Sequence, residues 1–85
     1  MKLTSMQDQA IAARLALVVG AETFDRVFAS VRFDEVDGDM LYAYSNANNC
    51  PEIANEYGLR IMTIAAELLG RQVNSIMIFP MHFAE

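Results

Sequence analysis

The stretch VRFDEVDGDMLYAYS, residues 31–45, decides the fold that this sequence predicts. Its first half has the period-two alternation of a half-buried strand: Val31, Phe33 and Glu35 on one side, Arg32, Asp34 and Val36 on the other. Its second half, DMLYAYS, is rich in residues that favour strands. Between the halves stands Asp37-Gly38, the strongest short signal for a hairpin turn. We therefore predict an antiparallel β-hairpin over these residues.

The hairpin carries four carboxylates, which raises the question of a metal or catalytic site. They are Asp34, Glu35, Asp37 and Asp39. A calcium loop of the EF-hand type needs oxygen ligands at fixed offsets around a turn glycine. With Gly38 at that turn, Phe33 and Tyr44 occupy the first and last ligand positions, so the frame fails. We interpret the cluster as a solvated hairpin tip, and we predict no metal, no cofactor and no acid–base pair here.

Two helices are predicted before the hairpin. Ser5 and Asp8 resemble a capping box, and apolar residues recur at helical spacing from there to Gly20, a typical helix-ending residue. The stretch AETFDRVFAS, residues 21–30, starts a second apolar face, because apolar residues recur at i, i+3, i+4 and i+7 counted from Phe24.

A long helix is predicted after the hairpin. Asn48 or Asn49 caps it, Pro51 lies in its first turn, and an apolar stripe continues until Gly70. Gly58 lies in the helix interior, where glycine costs about 1 kcal/mol relative to alanine, so it indicates a close contact or a kink.

The last element is the strand VNSIMIF, residues 73–79, which Pro80 ends. The order ααββαβ predicts an α+β domain of two layers, a small three-stranded sheet packed against helices on one face. Because the last strand follows a helical crossover, we expect a mixed sheet. Residues 1–85 form one domain, and we expect residues 1–4 and 80–85 to fray.

The composition predicts more apolar surface than the core can bury. The apolar fraction is 54%, above the roughly 45–50% usual for soluble chains. A small domain buries only roughly 60% of its unfolded surface, so we expect a protein partner or a homodimer to cover the excess. Among the methionines, we expect Met62 and Met77 in the core, and Met1, Met6, Met40 and Met81 as weaker interface candidates.

Charge and targeting signals restrict the function classes. The net charge is −5 and the six basic residues are scattered, which argues against direct nucleic-acid binding. Neither a signal peptide nor a run of about 20 apolar residues is present, so we expect a cytoplasmic chain without a membrane span.

The single cysteine and the single histidine are the remaining candidates for a catalytic pair. Cys50 lies near a helix start, which lowers thiol pKa values, and His82 could act as its base. However, His82 lies in an expected tail and no third residue orients it. We therefore interpret Cys50 as a structural or surface cysteine and predict that the protein is not an enzyme.

The chain also resembles a known family between residues 15 and 79. Phe24, the hairpin VRFDEVDGDMLYAYSN, Asn46, Tyr57 and Ile61 keep the spacing of the N-terminal domain of the bacterial replication initiator DnaA. The segment LLGRQVNSIMIF is similar to the end of that domain. The resemblance implies a KH-like fold and a role in DNA replication through protein–protein contacts.

Several positions depart from that family's pattern. Val27 and Glu52 stand where the family has tryptophan, and Asp8 stands at an aromatic position associated with self-association. Thr23 and Asn48 stand at positions associated with helicase contact, where an acidic and an aromatic residue are typical. The resemblance therefore implies the fold more strongly than the partners.

The leading hypothesis is a non-enzymatic protein-interaction module that docks onto a replication protein or onto itself. The candidate contact residues are Glu22, Asp25, Phe28, Tyr44, Asn46, Asn48, Glu52, Glu56 and Tyr57. We expect Phe28, Tyr44 and Tyr57 to be the anchors, since buried aromatic residues dominate interface energies. The acidic residues would tune partner choice and association rate.

The rival hypothesis is a small acidic inhibitor from a mobile element, of the anti-CRISPR or anti-restriction type. It would occlude a nucleic-acid-binding surface of its target with Asp34, Glu35, Asp37 and Asp39. One continuous acidic face would favour that hypothesis, whereas an apolar patch with a polar rim would favour docking. Single-stranded nucleic-acid binding would require Arg26, Arg32, Arg60 and Arg71 to converge on one face.

Overall fold

A computed structural model describes residues 1–81 and confirms the predicted order ααββαβ. The elements are α1 Ser5–Val19, α2 Ala21–Thr23 with its π-helical continuation Phe24–Phe28, β1 Arg32–Asp37, β2 Met40–Ser45, α3 Cys50–Leu69 and β3 Ser75–Pro80. The strands form one sheet in the order β1-β2-β3, with β1 antiparallel and β3 parallel to β2. The fold is thus α+β, with a mixed three-stranded sheet packed against helices.

The N-cap of helix α1 lies one residue earlier than expected. Thr4, not Ser5, is the N-cap: its hydroxyl accepts from the Gln7 N–H at 3.1 Å, and the Gln7 side chain accepts from the Thr4 N–H at 2.9 Å. This is a capping box with glutamine in the reciprocal position. Asp8, which we expected in the box, instead accepts from the Phe33 N–H at 2.7 Å and ties α1 to β1.

The hairpin is present, with a different turn and an interrupted alternation. Its two loop residues are Gly38, with a φ of +64°, and Asp39, one position later than predicted. A β-bulge lies between Phe33 and Glu35. The extra residue of a bulge reverses the alternation after it, so Val36 and not Glu35 shares the buried side with Phe33.

Helix α3 crosses the sheet closely enough to leave little room for a side chain at Gly58. A Cβ at that position would lie 3.2 Å from Cγ2 of Ile76 on β3. The glycine that interrupts the helix pattern therefore marks a close contact between α3 and β3. β3 continues through Pro80, which pairs with Ser45, so the strand starts two residues later and ends one residue later than expected. An edge strand tolerates proline because one side of its backbone makes no ladder bonds.

The core lies between the helices and the inner face of the sheet. The fully buried large side chains include Ile11 and Leu15 of α1, Leu41 of β2 and Ile61 of α3. Helix α3 buries one stripe and α1 packs beside it. The sheet and the two long helices thus share a single hydrophobic core.

The first residues of the chain are ordered against β1, contrary to the expected fraying of residues 1–4. Lys2 forms an isolated antiparallel bridge with Glu35. Leu3 N–H donates to the Asp34 carbonyl at 2.8 Å, and Val36 N–H donates to the Met1 carbonyl at 2.9 Å. These bonds cover the outer edge of β1, which would otherwise present unpaired backbone groups. Of residues 80–85, which we also expected to fray, Pro80 is part of β3, and residues 82–85 lie outside the described residues.

No helix within residues 1–81 has the length and hydrophobicity needed to cross a membrane.

Candidate functional site

The face of the sheet that points away from the core carries an aromatic and methionine patch. The strand register places Tyr42 beside Met77 and Tyr44 beside Phe79, on the side opposite the buried Leu41 and Ala43. We call this side the outer sheet face and these four side chains, Tyr42, Tyr44, Met77 and Phe79, the aromatic patch. The alternation of β2 and β3 creates it, because every second residue of a strand points to the same side.

Ring packing holds the aromatic patch together. The rings of Tyr42 and Phe79 are stacked, with centroids 5.9 Å apart and an interplanar angle of 16°. The rings of Tyr44 and Phe79 are also 5.9 Å apart, tilted by 36°. Met77, which we expected in the core, is 42% exposed. The patch is therefore a preformed apolar surface with limited side-chain freedom, the kind that interface anchors use.

Two of the three expected anchors are core residues. Phe28 is 1% exposed and Tyr57 is 9% exposed, and their rings meet edge to face with centroids 5.0 Å apart. Both rings belong to the core of the folded domain, so neither ring is presented as an interface anchor. Tyr44, the third expected anchor, is half-buried on the outer sheet face.

The polar candidates for partner contact are exposed. They are Glu22, Asp25, Asn46, Asn48, Glu52 and Glu56. The loop 46–49 follows Tyr44 and is held at its base, because the Ser30 hydroxyl accepts from the Asn46 N–H at 3.1 Å. The buried Ser45 hydroxyl accepts from the Ala47 N–H at 3.1 Å and lies 3.3 Å from the Ser30 hydroxyl. These bonds tie the base of the loop to Ser30, just after the second helix, and to the buried Ser45 at the end of β2.

The four hairpin carboxylates do not form a continuous unpaired surface. Asp34 lies 2.9 Å from the Lys2 ammonium, and that hydrogen bond raises the pKa of Lys2. Asp39 accepts from the Asn74 amide at 3.0 Å. Glu35 and Asp37 belong to the outer sheet face, since the register pairs them with Tyr42 and Met40. Two carboxylates thus border the aromatic patch, and two are engaged elsewhere.

The four arginines that single-stranded nucleic-acid binding would need are dispersed. Arg32 pairs with Tyr44 on the outer sheet face, while Arg71 donates to the Gly38 carbonyl at 2.9 Å. Arg60 belongs to α3 and Arg26 to the π-helical segment. They do not provide the basic track that a phosphate backbone requires.

Cys50 is a buried structural thiol. Its Sγ donates to the Ala47 carbonyl at 3.4 Å, and burial raises the pKa of the thiol, with Glu52 adding to the increase. A raised pKa keeps the thiol protonated at neutral pH, which is the opposite of an activated nucleophile. His82 lies outside the described residues. Residues 1–81 contain no group of three or more His, Cys, Asp and Glu side chains that could hold a metal ion.

No family model matches this chain, and neither the curated proteins nor the solved structures contain a significant match. The resemblance to the initiator domain therefore depends on the spacing of the residues named above.

Sequence reasoning did not assemble the aromatic patch. It identified Tyr44 as an anchor and Tyr42 only as one of the core or partner-facing aromatic residues, placed Met77 in the core and gave no role to Phe79. The alternation in β2 and β3 contains the signal. Reading it requires the parallel register of these two strands, which a single sequence does not reveal.

Proposed function

We propose that this protein is a non-enzymatic interaction module that docks onto a folded protein partner through its outer sheet face. The observation that carries the proposal is the aromatic patch, in which the Phe79 ring packs against Tyr42 and Tyr44 beside the exposed Met77. Tyrosine, phenylalanine and methionine are enriched at protein interfaces, and a contiguous exposed apolar patch marks such sites.

The surroundings of the patch support docking better than charge mimicry. Arg32, Glu35 and Asp37 border it along β1, and the loop residues Asn46 and Asn48 follow the end of β2. An apolar centre with a polar rim is the usual anatomy of a non-obligate interface. The partner would present an apolar surface of its own, with donors or basic groups facing this rim.

The acidic residues beside the loop extend the same proposed surface. Glu52 and Glu56 are exposed on α3, and Glu22 and Asp25 are exposed on the second helix. On this proposal they set partner choice and association rate, while the aromatic patch supplies affinity. The resemblance to the initiator's N-terminal domain makes a replication protein the first partner class to test.

A photo-crosslinking experiment in cells that produce this protein tests the docking surface. A crosslinking amino acid replaces Tyr44 in one variant and Leu17, an 82% exposed residue of α1, in a control variant. We expect a protein adduct at position 44 that Met77→Asp abolishes, and no such adduct at position 17. Equal adducts at both positions, or an adduct that survives Met77→Asp, would contradict the proposal.

Two further variants separate docking from acidic mimicry. Tyr44→Ala removes a ring from the aromatic patch, and Asp37→Lys reverses an exposed charge at the hairpin. Docking predicts that Tyr44→Ala weakens partner binding at least about tenfold, as for an interface anchor, and that Asp37→Lys changes mainly the association rate. The opposite ranking would favour the inhibitor of a nucleic-acid-binding protein.

A further inference from the structure

The helix layer carries a second surface, which lies away from the outer sheet face. An open groove of about 360 Å³ runs between α1 and α3 and is lined by Arg14, Val18, Leu59, Arg60, Thr63 and Glu67. Leu59 is 76% exposed and Val18 is 50% exposed. We call these residues the helical groove.

Leu59 is not needed by the core. The buried stripe of α3 includes Tyr57, Ile61 and Ile64, and Leu59 lies outside it. Single exposed leucines are common on protein surfaces, but this one lines the same groove as a second exposed aliphatic residue, Val18. Such a grouping of aliphatic side chains in a concave surface is typical of a binding site.

The groove borders a ridge with the spacing of helix–helix packing. Leu59, Thr63 and Glu67 follow one another at intervals of four residues on α3. A second depression on the other side of the ridge is lined by the same three residues together with Met62 and Val73. Ridges of residues spaced by four fit the grooves of a neighbouring helix. The shape therefore suits a helical occupant.

The lining of the groove has a net positive charge, whereas the chain as a whole has a net negative charge. The protein has a net charge of −5 and only six basic residues, yet Arg14 and Arg60 both line this groove. The one carboxylate of the lining, Glu67, lies 3.7 Å from Arg14, with both side chains largely exposed. Within residues 1–81 no carboxylate forms an ion pair with Arg60. The lining thus has an excess of one positive charge on an acidic protein, with the Arg60 guanidinium outside any ion pair of residues 1–81, and charge complementarity favours an acidic ligand.

We propose that the helical groove binds an acidic amphipathic helix of a partner protein. Apolar side chains of that helix would contact Val18 and Leu59, and its carboxylates would pair with Arg60 and Arg14. Recognition of an amphipathic helix in an apolar groove is a recurring mode of peptide binding. This site is separate from the aromatic patch, so its test does not depend on the docking function proposed above.

A pair of synthetic peptides serves as the probe. The acidic peptide has about 18 residues, long enough to form a helix on binding, with leucines at i, i+3, i+4 and i+7 and glutamates beside them. The matched basic peptide has lysine in place of every glutamate. Fluorescence anisotropy measures their affinity for the full chain. We expect the acidic peptide to bind more tightly than the basic one, with an affinity that decreases as salt is added.

Three variants locate the binding. Leu59→Asp and Arg60→Glu should each weaken binding of the acidic peptide at least about tenfold, as expected for an anchor and a charge partner. Leu17→Asp is the control, because Leu17 is an 82% exposed aliphatic residue of α1 that does not line the groove. It should leave the affinity within about twofold, as a surface change outside the site does. Arg60→Glu should also improve binding of the basic peptide.

The outcomes that overturn the proposal are distinct. The proposal is overturned if the two peptides bind with equal affinity, if Leu17→Asp weakens binding as much as the groove variants do, or if neither peptide binds. A dimer in light scattering that Leu59→Asp abolishes would assign the groove to a second copy of this chain instead. Circular dichroism checks folding, and Arg60→Glu, a change at an exposed position, decides the question if Leu59→Asp unfolds.

Discussion

The two faces of the sheet differ in burial, and the six residues of β2 contribute to both of them. Leu41, Ala43 and Ser45 are completely buried against the helices, whereas Tyr42 and Tyr44 are half-buried on the outer sheet face. The inner face provides the core, and the outer face provides the surface proposed for docking. The difference teaches that stability and recognition can be changed almost independently along this strand, because neighbouring residues point to opposite sides.

Alanine substitutions on the two faces of the sheet should give the largest difference in the free energy of unfolding. Leu41→Ala removes a fully buried side chain and should lower the free energy of unfolding by about 2–5 kcal/mol, from lost burial and the cavity left behind. Tyr42→Ala on the outer face should cost no more than about 1 kcal/mol. Urea denaturation measures both. Equal losses would mean that the outer face also supports the fold.

Removal of the hydrogen bond from Asp8 to β1 should have the next largest effect. Asp8→Ala deprives the Phe33 N–H, beside the bulge, of its acceptor at 2.7 Å. An unsatisfied backbone donor costs about 1–3 kcal/mol when it is buried. Asp8→Asn is the matched control, since its carbonyl oxygen retains an acceptor. If both variants lose the same stability in urea, the charge of Asp8 and not the hydrogen bond is responsible.

A substitution at Gly58, where α3 lies close to β3, should change the free energy of unfolding by a smaller amount, because two opposing contributions combine. Gly58→Ala gains about 1 kcal/mol of helix propensity, but its new methyl group would meet Cγ2 of Ile76 at 3.2 Å. Overpacking of this kind costs about 1–3 kcal/mol, so we expect a net loss of about 1 kcal/mol.

A double-mutant cycle with Ile76 separates the two contributions of Gly58→Ala. Ile76→Ala removes the opposing Cγ2 atom, so in that background Gly58→Ala should be neutral or stabilising in urea denaturation. If Gly58→Ala costs the same in both backgrounds, the contact with Ile76 does not explain the glycine.

The sequence predicted the fold well because its local signals agree with one another. The hairpin, the apolar stripe of α3 and the helical crossover indicate the same two-layer arrangement, and the structure has it. The bulge at Asp34 was not predicted, because the hydrogen bond that satisfies Phe33 comes from Asp8 on α1. A contact between distant parts of the chain is not visible in local periodicity.

The candidate site was only partly predictable for the same reason. Helical spacing put Phe28 and Tyr57 on apolar faces, and we expected both as interface anchors, but their mutual ring contact places them in the core. Tyr44 was identified, whereas Phe79 enters the aromatic patch only through the parallel register of β3 on β2. The helical groove likewise requires α1 and α3 to be adjacent. Residues that contribute to a surface through tertiary neighbours need the structure.

The smallest effect should come from the Lys2–Asp34 ion pair at the β1 edge. The Lys2 ammonium donates a hydrogen bond to the Asp34 carboxylate, and this bond raises the pKa of Lys2. The pair therefore stabilises the fold below the usual pKa of lysine and loses its effect as the pH rises through the raised pKa. Lys2→Gln should therefore lower stability slightly at neutral pH, less at high salt, and not at all at strongly alkaline pH. Removal of residues 1–3 should cost more, because the backbone bonds of Met1 and Leu3 to β1 are lost as well. If Lys2→Gln costs as much as that truncation, the ion pair and not the backbone bridge protects this edge of the sheet.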